Sequence, residues 1–150
     1  MMRLDELKRP LEILIIDENK GNVRSVCDAL RSLHIQYNSR VKENGEEALM
    51  HLQTLCRFGA TPLPDVIFLD LDLPRIDGGS ILDEIKADPD LRKVPVVFFS
   101  SQNQKTVNNE TWNDQENFIR TERTSMDSFV GALRQVEKFL VRRDFSIRER

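Results

Sequence analysis

The sequence predicts an α/β domain in which a doubly wound, five-stranded parallel sheet is covered by helices on both faces. The first observation is a set of three uninterrupted apolar runs, at residues 13–16, 66–69 and 96–99. Short runs rich in β-branched and aromatic residues are typical of strands buried on both faces, as in parallel sheets. The second observation is that helical patterns alternate with these runs, which indicates a doubly wound order of elements.

The first half of the chain follows this alternation. After the strand at 13–16, a first helix is predicted after Asn22, because apolar residues recur there at helical spacing. They are Val23, Val26, Cys27, Leu30 and Leu33. Residues 35–41 alternate loosely and predict a second strand. Residues 44–47 (NGEE) form a capping-box pattern that opens a second helix, whose apolar residues Ala48, Leu49, Leu52 and Leu55 face inward.

The second half repeats the alternation less regularly. A loop at 57–64 leads into the strand at 66–69, and the turn at 77–79 precedes a third helix with Ile81, Leu82 and Ile85 inward. Residues 102–117 contain little apolar material, so we expect an atypical fourth helix region there. A fifth strand follows, and residues 124–127 cap a last helix. Its apolar face consists of Phe129, Leu133, Val136 and Leu140.

Length and composition predict a single domain over residues 1–150, with a core at about 11–141 and a basic C-terminal tail at 142–150. The formal net charge of −3 gives no reason to expect nucleic acid as a partner. No apolar run is long enough to span a membrane, and residues 1–10 lack the apolar stretch of a signal peptide. We therefore expect a cytoplasmic protein.

The sequence does not mark any cysteine or histidine as a catalytic, metal-binding or disulfide-forming residue. Cys27 and Cys56 fall at apolar helical positions without CxxC spacing, which favours buried free thiols over a disulfide or a metal site. His34 and His51 lie far in sequence from the acidic strand ends, and nothing marks either as a ligand or a base.

Polar residues follow three of the predicted strands: Asp17 and Glu18, then Asp70, then Ser100. The carboxyl ends of parallel strands meet at one edge of a sheet, where ligands bind. Oxygen ligands of this kind suit Mg²⁺, and a carboxylate beside such an ion can attack a phosphoryl group. A single acidic residue such as Asp17 or Asp77 is more often a cap or turn residue. The conjunction of three strand ends favours a phosphate site.

The segment 64–78 (PDVIFLDLDLPRIDG) resembles the phosphorylation-site signature of response regulator receiver domains, the CheY-like superfamily with a flavodoxin-like fold. Residues 13–19 are similar to the acidic-pocket strand of that family. Residues 44–49 (NGEEAL) and 85–97 resemble its helix and strand signatures. The loop before Asp65 and the sequence of residues 86–95 resemble the corresponding segments of the single-domain regulators that partner bacterial phytochromes.

The resemblance implies roles for individual residues at the sheet edge. Asp70 would be the phosphoacceptor. Asp17 and Glu18 would form the Mg²⁺ pocket with Asp70, and Asp72 would contribute its backbone carbonyl. Ser100 would provide the hydroxyl that hydrogen-bonds the phosphoryl group.

The resemblance also implies a switch and a set of partners. Phe118 would be the aromatic residue that reorients when the hydroxyl engages the phosphoryl group, which shifts an existing inactive-to-active equilibrium. A histidine kinase or a phosphotransfer protein would be the donor, and the domain would signal by protein contacts without being an enzyme. The phytochrome-type relatives suggest a homodimer.

Two positions depart from the family pattern. The family normally places Asp at the position of Glu18, and Glu is one methylene longer, although it can reach an ion through a water. The family also has a Lys after its fifth strand. Anchoring the alignment on Phe118 puts Thr121 there, whereas anchoring on Phe129 puts Glu122 there.

The nearest cations to that position in the sequence are Arg120 and Arg123, each one or two positions away, and strand alternation turns the side chain over at each step. A pseudo-receiver that binds partners without phosphorylation is therefore the alternative function. A haloacid-dehalogenase-type phosphatase is a remote alternative, because its motif also reads Asp-x-Asp. Pro74 stands where that family usually has Thr, and no downstream acidic pair completes its metal site.

Overall fold

The structure, a computed structural model, describes residues 3–58, 63–100, 116–122 and 124–148, with backbone only for 56–58 and 141–148. Most of the predicted atypical fourth helix region, at 102–115, lies outside the described residues. So do Arg123 and the side chain of Cys56. The expectations for these positions therefore remain predictions.

Five parallel strands form one sheet in the order β2-β1-β3-β4-β5. Their bounds are β1 Leu11–Ile16, β2 Tyr37–Lys42, β3 Val66–Asp70, β4 Val96–Phe99 and β5 Phe118–Arg120. In the described part of the chain, four helices accompany them, α1 Lys20–Ser32, α2 Gly45–Phe58, α3 Gly78–Ala87 and α4 Met126–Arg148. Short 3₁₀ turns lie at Leu4–Glu6 and Leu91–Lys93. The predicted doubly wound, flavodoxin-like fold is confirmed.

The predicted helix caps are present at two helices. The Asn44 side chain accepts a hydrogen bond from the backbone N–H of Glu47 at 2.9 Å, at the start of α2. The Ser125 hydroxyl accepts one from the N–H of Ser128 at 3.2 Å, at the start of α4. Side chains that satisfy free N–H groups in a first helical turn fix where a helix begins. Helix α4 continues to Arg148, through most of the segment predicted as a basic tail.

Two element boundaries differ from the sequence-based expectation. Helix α1 begins at Lys20 rather than after Asn22, because the side chain of Asn19 accepts a hydrogen bond from the backbone N–H of Asn22. Strand β2 begins at Tyr37 rather than at residue 35. The N–H of Ile35 is instead bonded to the carbonyl of Leu30, so Ile35 belongs to the end of α1. A side-chain cap set the first boundary and a backbone hydrogen bond set the second, and apolar spacing revealed neither.

The sheet separates two apolar clusters. One face packs against α1 and α4, where the ring of Phe129 meets those of Phe68 and Phe99 at centroid distances of 5.5 Å. The other face packs against α2 and α3, through residues such as Leu52 and Ile81. Because both faces are covered, β1, β3 and β4 contain almost only apolar residues. Polar side chains gather instead at the two ends of these strands.

Cys27 was predicted to be a buried free thiol, and only the second part of this is confirmed. Its thiol is free and half-buried, near the hydroxyl of Tyr37 on β2. A hydrogen bond with the thiol is the main cause that raises the pKa of Tyr37 above its usual value. Helical spacing assigned Cys27 to the apolar side of α1. The structure places it at the margin of that side, next to the edge strand of the sheet.

A buried ion pair holds the opposite edge of the sheet. Asp65 precedes β3, is 2% exposed, and accepts hydrogen bonds from both terminal nitrogens of Arg9 at 2.7 and 2.9 Å. It also accepts the backbone N–H of Glu12 at 2.8 Å. A buried carboxylate with this many donors is compensated for its lost hydration. The pair therefore fixes where β3 begins relative to β1.

The first prediction concerns two helical glycines in very different surroundings. A Cβ on Gly78 would lie 2.5 Å from Cα of Leu71 and 3.0 Å from the carbonyl oxygen of Asp70, whereas a Cβ on Gly131 would meet nothing within 4 Å. We expect Gly78→Ala to lower the free energy of unfolding by about 1–3 kcal/mol through overpacking. Gly131→Ala, the matched control, should raise it by about 0.5–1 kcal/mol. Urea denaturation measures both, and shifts of the same sign would contradict the close approach at Leu71.

Candidate phosphoacceptor site at the carboxyl edge of the sheet

Asp17 and Asp70 lie side by side at the carboxyl ends of two neighbouring strands. Strand β1 pairs with β3 up to the Ile16–Leu69 pair, so the next position on each strand is an aspartate. Both are buried, with 0% of Asp17 and 2% of Asp70 exposed, and their side chains form a hydrogen bond. The two carboxyl groups therefore form a buried acidic pair at the carboxyl edge of the sheet.

The fold positions Asp17 through the first turn of α1. Its Oδ1 accepts the backbone N–H of Asn19 at 2.8 Å, and its Oδ2 accepts the side-chain amide of Asn22 at 3.0 Å. Burial nevertheless raises the pKa of Asp17 above its usual value, and the nearby charge of Glu18 adds to this. Hydrogen bonds with Asn19, Asn22 and Asp70 oppose the rise without cancelling it. Asp17 is thus a buried acid whose ionised form is disfavoured.

Asn22 is a site residue that the sequence analysis missed. It was taken only as the point after which α1 begins, yet its side chain is buried and donates to Asp17. A signal was present in the sequence. Asn22 is an amide in the first turn of a helix that directly follows an acidic strand end, where side chains face the carboxyl edge of the sheet.

Asp70, Asp72 and Ser100 are connected by hydrogen bonds. The Oδ1 atom of Asp70 accepts the backbone N–H of Asp72 at 2.9 Å. The hydroxyl of Ser100 donates to Oδ2 of Asp72 at 2.6 Å. The sequence analysis assigned only the backbone carbonyl of Asp72, so this side-chain contact is new. It brings the three residues into one polar group, as their positions at strand ends predicted for Asp70 and Ser100.

Glu18 lies beside the pair, with an exposed side chain. Across the described part of the chain, no three or more His, Cys, Asp or Glu side chains are arranged as a metal-binding group. The structure therefore does not gather Asp17, Glu18, Asp70 and Asp72 into one carboxylate cluster. Two buried carboxyl groups side by side still suit a hard divalent cation, because oxygen ligands are what such ions bind. Asp17 and Asp70 are the residues that would hold it.

Thr121, directly after the fifth strand, lies in the same row as Asp70, the phosphoacceptor candidate. A row here is a set of residues in register across neighbouring strands. Asp70 is in register with Phe99, and Phe98 is in register with Arg120. The N–H of Thr121 donates to the carbonyl of Phe98 at 3.0 Å, which extends the β4–β5 ladder by one residue. Thr121 therefore follows Asp70 and Phe99 across the sheet, and the alignment anchored on Phe118 is favoured over one that selects Glu122.

Phe118 and the arginines sit differently from Thr121. Phe118 is 8% exposed and packs in the cluster between the sheet and α2–α3. Arg120 is two residues further along the strand, so it shares the face of Phe118 and not that of Thr121. Glu122 is exposed. The residue in the row of Asp70 is Thr121, directly after β5, and its side chain is uncharged.

The two histidines lie on α2 and just after α1. His51 is on α2 near Arg40 and Lys42 of β2, and burial, with the charges of those two residues, lowers its pKa. His34 ends α1 with a backbone φ of 58°. Neither contacts the acidic residues through any hydrogen bond described for the site.

A family model described as the response regulator receiver domain matches residues 13–117. The chain belongs to this family. The match includes Asp17, Asp70 and Ser100 and ends one residue before β5. It assigns the Asp70-Leu71-Asp72 motif to a receiver domain rather than to a dehalogenase-type phosphatase. Phosphorylation on an aspartate and the binding of a divalent metal ion are general properties of receiver domains, which are generally non-enzymatic signalling modules.

Individual relatives support this assignment. The receiver is 34% identical to "Response regulator Rcp1" of Synechocystis over 101 residues, which cover 67% of this chain and 69% of that protein. It is 31% identical to the "Probable methanogenesis regulatory protein FilR2" of Methanothrix harundinacea, of which the match covers 61%. This chain therefore spans less than two thirds of the length of FilR2.

Solved structures of similar proteins have the same fold. The Mn²⁺-bound form of response regulator Rcp1 matches with a TM-score of 0.66 and 28% identity, over 87% of this chain and 94% of that one. The phosphorylated cyanobacterial phytochrome response regulator RcpA matches with a TM-score of 0.64 and 26% identity, over 89% and 95%. The predicted resemblance to phytochrome-type regulators is confirmed.

The second prediction follows from the raised pKa of Asp17. An acid whose pKa is higher in the folded state favours folding below its unfolded pKa and loses that contribution as pH rises through the folded value. At pH 7 without metal, Asp17→Asn should therefore raise Tm, because the neutral amide avoids the cost of burying a charge. The gain should shrink as pH falls toward 4.

Asp65→Asn is the matched control, because Asp65 is equally buried but paired with Arg9. It should lower Tm at pH 7. Mg²⁺ should raise the Tm of the wild type and not that of Asp17→Asn. A fall in Tm for Asp17→Asn at pH 7 would show that burial is not the main influence on the pKa of Asp17. Thermal unfolding followed by circular dichroism measures these shifts.

Proposed function

We propose that this receiver accepts a phosphoryl group on Asp70 from a histidine kinase or a phosphotransfer protein and signals through protein contacts. The observation that supports it is the buried Asp17–Asp70 carboxyl pair, with the Ser100 hydroxyl connected to it through Asp72. A carboxylate held at a strand end beside a second acid is suited to metal-assisted attack on phosphorus.

Each residue has a definite part in the proposed reaction. A carboxylate oxygen of Asp70 forms a bond to phosphorus as the bond from phosphorus to the donor histidine nitrogen breaks, and that nitrogen takes up a proton. Mg²⁺ held by Asp17, Glu18, Asp70 and the backbone carbonyl of Asp72 would offset the repulsion between the anions. Ser100 then donates a hydrogen bond to a phosphoryl oxygen.

The consequence of phosphorylation is a shift between two existing conformations. When Ser100 engages the phosphoryl group, Phe118 on the neighbouring strand reorients. The equilibrium shifts by the difference in free energy with which the two conformations hold the phosphoryl group. Surfaces formed by the last strands and helices then change their affinity for a partner.

The cellular setting follows from the same proposal. Residues 1–150 act as one receiver domain, with a core at about 11–141 and a basic end at 142–150, in the cytoplasm. Its partners are proteins, a second copy of the chain among them, and not nucleic acid. In the described part of the chain, no helix is long and apolar enough to cross a membrane.

A phosphorylation-independent pseudo-receiver is the second candidate, and the position of Thr121 favours it. Thr121 stands in the row of Asp70 and Phe99, where receiver domains have a Lys that pairs with the phosphoryl group. A hydroxyl can donate a hydrogen bond to that anion, but unlike a Lys ammonium it brings no positive charge to pair with it. In this version, the fold and its surface bind the partner in one conformation only.

The third prediction tests the phosphoacceptor directly. With Mg²⁺ and a small phosphodonor such as acetyl phosphate, we expect a mass increase of one phosphoryl group that is stable in acid and lost in alkali. The adduct should be absent in Asp70→Asn and retained in Asp90→Asn, an exposed aspartate in the turn after α3. If the wild type forms no adduct and beryllofluoride, a phosphoryl mimic, does not raise its Tm, the pseudo-receiver is supported instead.

The fourth prediction tests the row that contains Thr121. A charged hydrogen bond contributes about 1.5 kcal/mol or more, so Thr121→Lys should tighten beryllofluoride binding roughly tenfold. Glu122→Lys is the matched control, because it makes a larger change in net charge one position along the strand, where the side chain is exposed. Equal tightening by both variants would show that only net charge matters and that Thr121 has no special position. Isothermal titration calorimetry with Mg²⁺ present measures the affinities.

A further inference from the structure

We infer that the carboxylate of Asp72 is a positioning residue that holds the Ser100 hydroxyl away from the phosphoacceptor, so that phosphorylation must break this contact before the switch operates. The inference rests on the proposed function and adds a regulatory residue to the same site.

The contact between the two side chains is short and sheltered. The Ser100 hydroxyl donates to Oδ2 of Asp72 at 2.6 Å, within the range of strong hydrogen bonds from hydroxyls to charged oxygens. Ser100 is 6% exposed, so little water competes for its proton. A serine hydroxyl has one proton to donate. It can serve Asp72 or a phosphoryl oxygen on Asp70 at full strength, but not both.

The backbone fixes Asp72 close to the phosphoacceptor. Its N–H donates to Oδ1 of Asp70 at 2.9 Å, so the residue touches Asp70 with its backbone and Ser100 with its side chain. The preceding residue, Leu71, donates its N–H to the carbonyl of Phe99 at 2.8 Å and accepts the N–H of Gly78 at 3.2 Å. Asp72 is therefore anchored, and the Ser100 side chain is the partner that must move.

Two costs follow when Asp70 is phosphorylated. The charged hydrogen bond between Ser100 and Asp72 is lost, which lowers the population of the engaged conformation about tenfold or more. The released carboxylate of Asp72 also faces a new anion on Asp70. The first cost requires the Ser100 hydroxyl and the second does not, so the two are separable by mutation.

The experiment is a cycle of four proteins: wild type, Asp72→Ala, Ser100→Ala and the double variant, each titrated with beryllofluoride in Mg²⁺. We expect Asp72→Ala to tighten binding roughly tenfold more when Ser100 is present than when it is replaced. Asp72→Asn, whose amide oxygen still accepts a neutral hydrogen bond, should lie between wild type and Asp72→Ala. Equal tightening in both backgrounds would mean that Asp72 acts by charge repulsion alone and would overturn the inference.

Thermal unfolding of the same four proteins, without phosphoryl mimic, tests whether the contact exists in the resting state. We expect the decrease in Tm of the double variant to be smaller than the sum of the two single decreases. Additive decreases overturn the inference even when Asp70 is phosphorylated normally. Absence of both an adduct and beryllofluoride binding in all four proteins overturns the proposed function, and with it the regulatory role, whereas additivity with a normal adduct overturns the role of Asp72 alone.

Discussion

Two carboxyl groups buried against each other, those of Asp17 and Asp70, are the constraint on which the rest of the site depends. Both end strands that the sheet buries on two faces, so neither side chain can turn toward bulk water. Burial raises the pKa of Asp17, and hydrogen bonds with Asn19 and Asn22 offset only part of this. A fold that keeps such a pair gives up stability at neutral pH and gains an edge that attracts a divalent cation.

The surrounding structure is organised to hold that edge still. The Arg9–Asp65 ion pair fixes β3 at its beginning, and the turn after Asp70 is held by Leu71, which bonds to both β4 and α3. Gly78 permits the close approach of α3 to this turn. The acidic half of the site is therefore rigid on both sides of the phosphoacceptor candidate, which favours a reaction that depends on positioning.

The switching half departs more from the family. Thr121 occupies the row in which receiver domains have a cation, and the Ser100 hydroxyl is already bonded to Asp72. Under the proposed function, both features would weaken the coupling between a phosphoryl group on Asp70 and the face formed by β5 and α4. Such a receiver would be phosphorylated on Asp70 more readily than it would change conformation once phosphorylated.

The sequence by itself determined the sheet, the helix faces and the acidic edge, because uninterrupted apolar runs report two-sided burial and their end points report the position of the edge. It also predicted that Asp70 and Ser100 lie at the ends of two strands, where the structure has them. Only the tertiary structure decided that Asn22 supports Asp17, that Asp72 binds Ser100 by its side chain, and that Thr121 rather than Glu122 shares the row of Asp70. These depend on strand register and side-chain direction, which residues distant in sequence fix together and apolar periodicity does not encode.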